Sequence, residues 1–236
     1  MELFYCRIEG GNFGDDMNAW FWDAAFPDFR RMAPDHTMFG IGSILGRDFL
    51  KDFERVVVMG SGAGYGPFPD DLPVRIRYAW VRGPMTAANL GLPPDRALTD
   101  PACLTPRLGD FRDPGTAGRR VFVPHCGTER LPIDWAGVAD AAGMTLVSPA
   151  EESRSVIARI ASAEFVVTES LHGAVIADAF RVPWVPLAIS PTFSSYKWSD
   201  WAKSMELQIE ISPALGPLKR LYRAYSELRA RLRGRR

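Results

Sequence analysis

The chain is poor in the residues from which metal sites and disulfide frameworks are built: its 236 residues include three histidines and three cysteines. Cys6, Cys103 and Cys126 are far apart and odd in number, so no disulfide framework follows and a reducing cytoplasm is expected. His36, His125 and His172 are not paired at ligand spacing, and His125 and Cys126 are adjacent rather than facing. No metal site is expected. No run reaches the ~18 apolar residues that cross a bilayer. The opening MELFYCRIEG lacks the charged start and apolar centre of a signal peptide, so a cytoplasmic protein is expected. With 28 basic and 28 acidic residues the net charge is zero, which excludes nucleic-acid binding by overall charge. Nucleotide fingerprints are missing too. Gly60-Ser61-Gly62-Ala63-Gly64-Tyr65-Gly66 misplaces the third glycine of GxGxxG, Pro67, Pro69 and Pro73 prevent an immediate helix, and no P-loop ending occurs. No G-x-S-x-G elbow suggests a serine nucleophile.

What the chain does have is a repeated strand-to-turn pattern. Ala163 to Leu187 is its clearest instance. Phe165-Val166-Val167 is too short for a helix and rich in β-formers, and Thr168 to Gly173 follow as a polar turn. Ala174 to Phe180 continue as a small-residue helix, and Val182 to Leu187 start the next strand. That βαβ order carries Glu169, Ser170 and His172 to the carboxyl edge of a parallel sheet, where open α/β folds bind ligands. The first turn of the following helix favours an anion there.

The same reading applies along the chain. Leu3 to Ile8 is a strand that runs into Gly10-Gly11-Asn12-Phe13-Gly14-Asp15-Asp16, with Asp15 or Asp16 as N-cap of a helix over 17–25. Thr37 to Ser43, Val56 to Gly62 and Ile76 to Val81 are further strands ending in glycines or at Arg82. Pro84 opens the helix Met85 to Leu90, and Ala97 to Pro101 closes this half. Gly109 to Arg119, with Asp113-Pro114-Gly115, is a linker. Alternation then resumes with Val121-Phe122-Val123, His125-Cys126-Gly127, a helix over 133–142, Met144 to Val147, and Ser148 to Glu152 starting a helix. An α/β protein of two Rossmann-like halves follows, residues 1–112 and 113–212. In the segment 213–236, Leu218, Leu221, Tyr222, Tyr225, Leu228 and Leu232 form a helical apolar stripe. Eight Lys or Arg lie between Lys219 and Arg236. This basic amphipathic helix either lies on the body with a solvated face or docks on an anionic membrane surface, at about 1 kcal/mol per basic residue.

Polar groups collect at strand ends: Asn12, Asp15, Asp16, Arg82, Asp100, His125, Glu169, Ser170, His172 and Lys197. Taken singly, each such residue is more often a cap or a packing residue. Together, Arg82, His172 and Lys197 suit a small polyanion, since arginine matches carboxylate and phosphate in bidentate fashion. The acids suit proton transfer.

In order and spacing, Asn12-Phe13-Gly14-Asp15-Asp16, Gly40-Ile41-Gly42-Ser43-Ile44-Leu45, Gly60-Ser61-Gly62, Val81-Arg82-Gly83-Pro84-Met85-Thr86, Asp100-Pro101-Ala102, Ser170-Leu171-His172-Gly173-Ala174 and Lys197 resemble the polysaccharide pyruvyl transferase family. Its exopolysaccharide ketal-pyruvyl transferase branch is the most similar. The resemblance implies a GT-B-like pair of domains, phosphoenolpyruvate as donor substrate, no cofactor, and a sugar diol on a polymeric or lipid-linked saccharide as acceptor. It implies donor contacts from Arg82, Ser170, Leu171, His172, Gly173 and Lys197, with His172 as acid and Asp15 or Asp16 as base. Asn12, Gly14, Gly42, Ser43, Gly62, Asp100, His125 and Glu169 would line the cleft. Two other readings stand beside it. One is a GT-B-like glycosyltransferase using a nucleotide sugar. The other is a non-catalytic glycan- or membrane-binding relative, kept open because Ser170 stands where many relatives carry arginine.

Overall fold

In the computed structural model the described residues are 1–64, 74–190 and 193–213, without the side chain of Arg47. The glycine-proline stretch 65–73 and the basic stripe 214–236 lie outside them. The chain is a mixed α/β protein with two parallel sheets. The first is formed by β1 (Glu2–Phe4), β2 (Thr37–Phe39), β3 (Arg55–Met59) and β4 (Arg75–Trp80), in that spatial order. The second is formed by β5 (Arg120–Val123), β6 (Thr145–Leu146), β7 (Phe165–Thr168), β8 (Trp184–Ala188) and β9 (Ser212–Pro213), in the order β6-β5-β7-β8-β9.

The strands obey the period-2 rule that places alternate side chains on opposite faces. In β5, Val121 and Val123 enter one core cluster and Phe122 enters another. In β2, Met38 and Phe39 divide in the same way. The largest cluster is built by both halves: Phe13, Met17, Phe21 and Trp22 pack with Val121, Val156, Ile160, Leu171, Val175, Trp198 and Trp201. The two sheets therefore share apolar burial. The helix Ser195–Ser204, late in the chain, packs on Pro84–Asn89 of the first half.

Strand order locates the ligand edge. In the second sheet the chain leaves β5 to one side for β6 and then returns to the other side for β7. A crevice opens beyond the carboxyl ends of strands where the winding reverses in this way. His125 follows β5 there, and Glu169 follows β7. The first sheet winds in one direction only, and its carboxyl ends carry Cys6 to Asn12, Gly40 to Ser43 and Gly60 to Gly64. No helix among the described residues is long and apolar enough to cross a membrane.

Several local expectations are refined by hydrogen bonding. The Asn12 turn is already helical: Phe13–Asp16 is a first turn capped at Asn12, followed by Asn18–Ala25. Asp15 and Asp16 thus sit inside the helix rather than capping it, because the backbone N–H of Asn12 donates to Asp16 Oδ2 at 2.8 Å. Residues 97–101 form no named strand. Ala97 makes one bridge to Val81, and Asp100 caps the 3-10 helix Pro101–Arg107 by accepting from the Ala102 N–H. Instead of a simple turn, His125 caps a short helix, Cys126–Glu129.

Candidate active site

Between the two carboxyl edges lies a cavity of about 280 Å³. Its wall carries Asn12, Asp15 and Ser43 from the first half, with His125, Arg130, Ser170, Leu171, His172 and Lys197 from the second. A smaller recess of about 50 Å³ shares His125, Leu171 and Lys197 and adds Glu169, Ser190 and Ser194. A larger groove of about 500 Å³ lies at the opposite edge of the first sheet, beside Arg55 and Arg75 at the starts of β3 and β4. It brings together none of the strand-end residues.

His172 occupies the first turn of the helix Leu171–Ala179, whose N-cap Ser170 accepts from the Gly173 N–H at 3.4 Å. The first half approaches this ring closely. A Cβ on Gly14 would fall 2.1 Å from His172 Nδ1, so only glycine admits the imidazole against that helical turn. Behind the ring, Nε2 faces Asp100 Oδ2 at 3.6 Å, an ion-pair distance too long for a hydrogen bond. Neither of these two buried atoms has a hydrogen-bond partner among the described residues. Burial pushes the Asp100 carboxyl up, but His172, the Ala102 N–H and Arg82 outweigh it and hold the group below the usual carboxylate range. A buried anion facing Nε2 fixes the ring's orientation.

Asp15 lies across the cavity. Burial pushes its carboxyl above the usual range, aided by Asp16 and opposed by His172, Asn12 and Lys197. The Asn12 amide donates to Asp15 Oδ2 at 2.6 Å. A carboxyl whose pKa is raised by burial, across from a histidine, suits general acid–base chemistry. Asp16 does not reach the wall, and one of its oxygens is occupied by the Asn12 N–H.

His125 is held differently. Burial first, then Lys197 and Arg130, push its imidazole down to about 4. Its Nδ1 accepts from the Gly127 N–H at 3.1 Å, which leaves the proton of the neutral ring on Nε2. The unfolded imidazole takes up a proton below about pH 6.5 that the folded ring refuses until about pH 4. Stability therefore falls as pH drops through that window, by about 3 kcal/mol from this group. His125→Asn keeps an acceptor for the cap and removes the titration. Its Tm is expected to fall less steeply than the parent's between pH 6.5 and 4, and equal slopes would refute the assignment.

Glu169 stitches three strand ends together. Its Oε1 accepts from the N–H groups of Ile189 (3.0 Å) and Ser190 (2.5 Å), and its Oε2 accepts from that of His125 (3.3 Å). A carboxylate so occupied holds the rim in shape.

Arg82 is not brought to the cavity. It is 1% exposed and each nitrogen of its guanidinium is engaged: Nε donates to Asp200 Oδ2 (3.2 Å), Nη1 to Ser43 Oγ (2.6 Å) and Nη2 to the Ala63 carbonyl (2.7 Å). It lies on Gly62, where a Cβ would fall 2.2 Å from its Cζ, so the glycine loop cradles an arginine. Gly42, Gly62, Gly173 and Asp100 stand behind the wall, while Asn12, Asp15, Ser43, His125, Ser170, Leu171, His172 and Lys197 form it. Arg130 joins them from the turn after Cys126–Glu129, where no periodicity signals it. Among the described residues no group of three or more His, Cys, Asp or Glu could hold a metal ion.

Residues 39–191 match the family described as Polysaccharide pyruvyl transferase. The chain is also 39% identical over 206 residues to the succinoglycan biosynthesis protein ExoV of Rhizobium meliloti (strain 1021). That match covers 87% of this chain and 65% of the relative's own length. With the family match covering well over half of the chain, the chain belongs to the polysaccharide pyruvyl transferase family.

Proposed function

We propose that the chain transfers a pyruvyl group from phosphoenolpyruvate to a sugar diol of an exopolysaccharide or its lipid-linked precursor, forming a ketal. The observation that carries this reading is His172, backed by the buried Asp100 and sharing the strand-end cavity with Asp15 and Lys197. The chemistry needs an acid, a base and positive charge, and that set supplies each. An acid protonates the methylene carbon of the enol, and C2 becomes an oxocarbenium-like centre. One sugar hydroxyl attacks C2 and gives its proton to a base. A second hydroxyl then closes the ketal as the C–O bond to phosphate breaks. Of the two hydroxyl protons released, one balances the new methyl group and the other leaves on phosphate.

His172, oriented by Asp100, suits the proton donor to carbon, and Asp15, with its raised carboxyl, suits the partner that takes the hydroxyl proton. Lys197 suits the donor's negative charge as an electrostatic clamp. Arg82 acts from behind, fixing Ser43 at the wall. The two sheets are read as GT-B-like halves, with the acceptor on the side of 1–112 and the donor on the side of 113–212. Docking on an anionic membrane through 218–236 rests on the sequence stripe alone.

The test is product release. With a saccharide acceptor present, the purified protein is expected to release phosphate from phosphoenolpyruvate and no nucleotide from sugar nucleotides. Nucleotide release without phosphate release would replace this reading with a glycosyltransferase. Neither release, with no thermal stabilisation by phosphoenolpyruvate, would leave a binding protein.

A further inference from the structure

Arg130 is a cation at the cavity that the strand-end pattern does not signal. It follows the short helix Cys126–Glu129 and reaches across to the first half, where its Nη2 donates to the Glu9 carbonyl. The approach is close, since a Cβ on Gly10 would sit 3.2 Å from the same nitrogen. Beyond this one bond its guanidinium keeps further N–H donors, and among the described residues no carboxylate pairs with it. Arg82, by contrast, donates from all three guanidinium nitrogens, to Asp200, Ser43 and Ala63. Among the described residues Arg130 is the arginine on the wall, together with Lys197, His125 and His172. Its charge is felt there, because it helps Lys197 to depress the His125 imidazole.

We propose that Arg130 grips an anionic group of the donor in this cavity, as a bidentate fork complementing Lys197. The inference rests on phosphoenolpyruvate being the donor. A guanidinium presents two parallel N–H groups to a carboxylate or phosphate, a geometry that an ammonium does not offer. The competing role is purely structural, a strap between the turn after Cys126–Glu129 and the Glu9 turn.

Three proteins separate the two roles: parent, Arg130→Gln and Arg130→Lys. Each is melted alone, with phosphoenolpyruvate and with inorganic phosphate, and each is assayed for phosphate release. Loss of one charge-assisted contact raises the KM for phosphoenolpyruvate roughly 10–100-fold in Arg130→Gln. Its ligand-induced rise in Tm shrinks in step, while its Tm without ligand stays near the parent's. Arg130→Lys keeps the charge and the reach to Glu9 but loses the fork, so it recovers part of the KM only. If Arg130→Gln does not accumulate folded, the KM of Arg130→Lys carries the test, and a parental value refutes the grip. Parental KM and parental stabilisation in Arg130→Gln refute it as well, as does a drop in unliganded Tm with KM unchanged. If the parent itself gains no stability from phosphoenolpyruvate and releases no phosphate, the donor assignment is what fails, and the grip falls with it.

Discussion

Replacing His172 with alanine is expected to lower ketal formation by about 10²–10⁴-fold, the range lost with a positioned general acid. The loss is chemical because the site around the ring is already built without it. Leu171 and Ala174 to Ala177 are buried in the helix that carries it, and Ser170 caps that helix without using the imidazole. Phosphoenolpyruvate is therefore expected still to stabilise the variant, through the cations, while phosphate release disappears. Stability changes in one recognisable way. With His172 present, Asp100 is held below the usual carboxylate range, so its contribution is full above the ordinary carboxylate pKa and is lost as pH falls through the lower folded value. Without His172 the largest cause acting on Asp100, burial, pushes the carboxyl up with less to oppose it. The variant's stability in the carboxylate range should then respond less favourably to rising pH than the parent's. Thermal melts between pH 3 and 6 read this directly. A variant that still forms ketal at the parental rate would remove His172 from the chemistry.

Much of this arrangement is legible in the sequence, for a physical reason. Short β-branched runs that alternate with helical stretches read as strands of a parallel sheet, and the winding rules bring their carboxyl ends together. Thus Asp15, His125, Ser170 and His172 are placed at strand ends by position alone, and the fold brings them to one cavity wall. What the sequence does not reveal depends on contacts distant along the chain. Arg82 and Lys197 look alike as cations at strand or turn ends, yet Asp200, 118 residues from Arg82 in sequence, neutralises one of them. Burial decides the outcome, and periodicity does not report which strand-end residue another helix will cover. Asp15 and Asp16 are adjacent carboxylates that no pattern distinguishes. The helical turn does: it directs Asp15 to the cavity wall and turns Asp16 back onto the Asn12 N–H. Arg130 sits in a four-residue helix's exit turn, where composition carries no signal, and only the folded chain places it on the wall with a bond to Glu9.

The largest stability effect is expected at Asp200. This residue is 0% exposed and belongs to the helix Ser195–Ser204, yet its side-chain hydrogen bonds are made to the first half. Oδ1 accepts from the Thr86 N–H at 2.9 Å, and Oδ2 accepts from the Thr86 hydroxyl at 2.6 Å and from Arg82 Nε at 3.2 Å. The fit leaves no slack, since a Cβ on Gly83 would fall 2.1 Å from the Asp200 carbonyl oxygen. Asp200→Ala strands a buried guanidinium without its counter-ion and leaves the Thr86 N–H unpaired. Breaking a buried pair from one side costs about 3–5 kcal/mol, which in a chain of this size lowers Tm by roughly 6–20 °C. Removing both charges, as in Arg82→Met with Asp200→Leu, should restore much of that loss, because the solitary charge is the expensive species. Activity will not follow stability in the double variant. Arg82 also donates to Ser43, and Asp200 lies one helical turn from Lys197 in the same helix, so the latch sets a residue on each side of the cavity. The double variant is therefore expected to melt near the parent yet bind phosphoenolpyruvate more weakly. Calorimetry and the phosphate-release KM measured on the same samples check both halves of that statement. A double variant that recovers stability and donor affinity together would show the latch to be structural only.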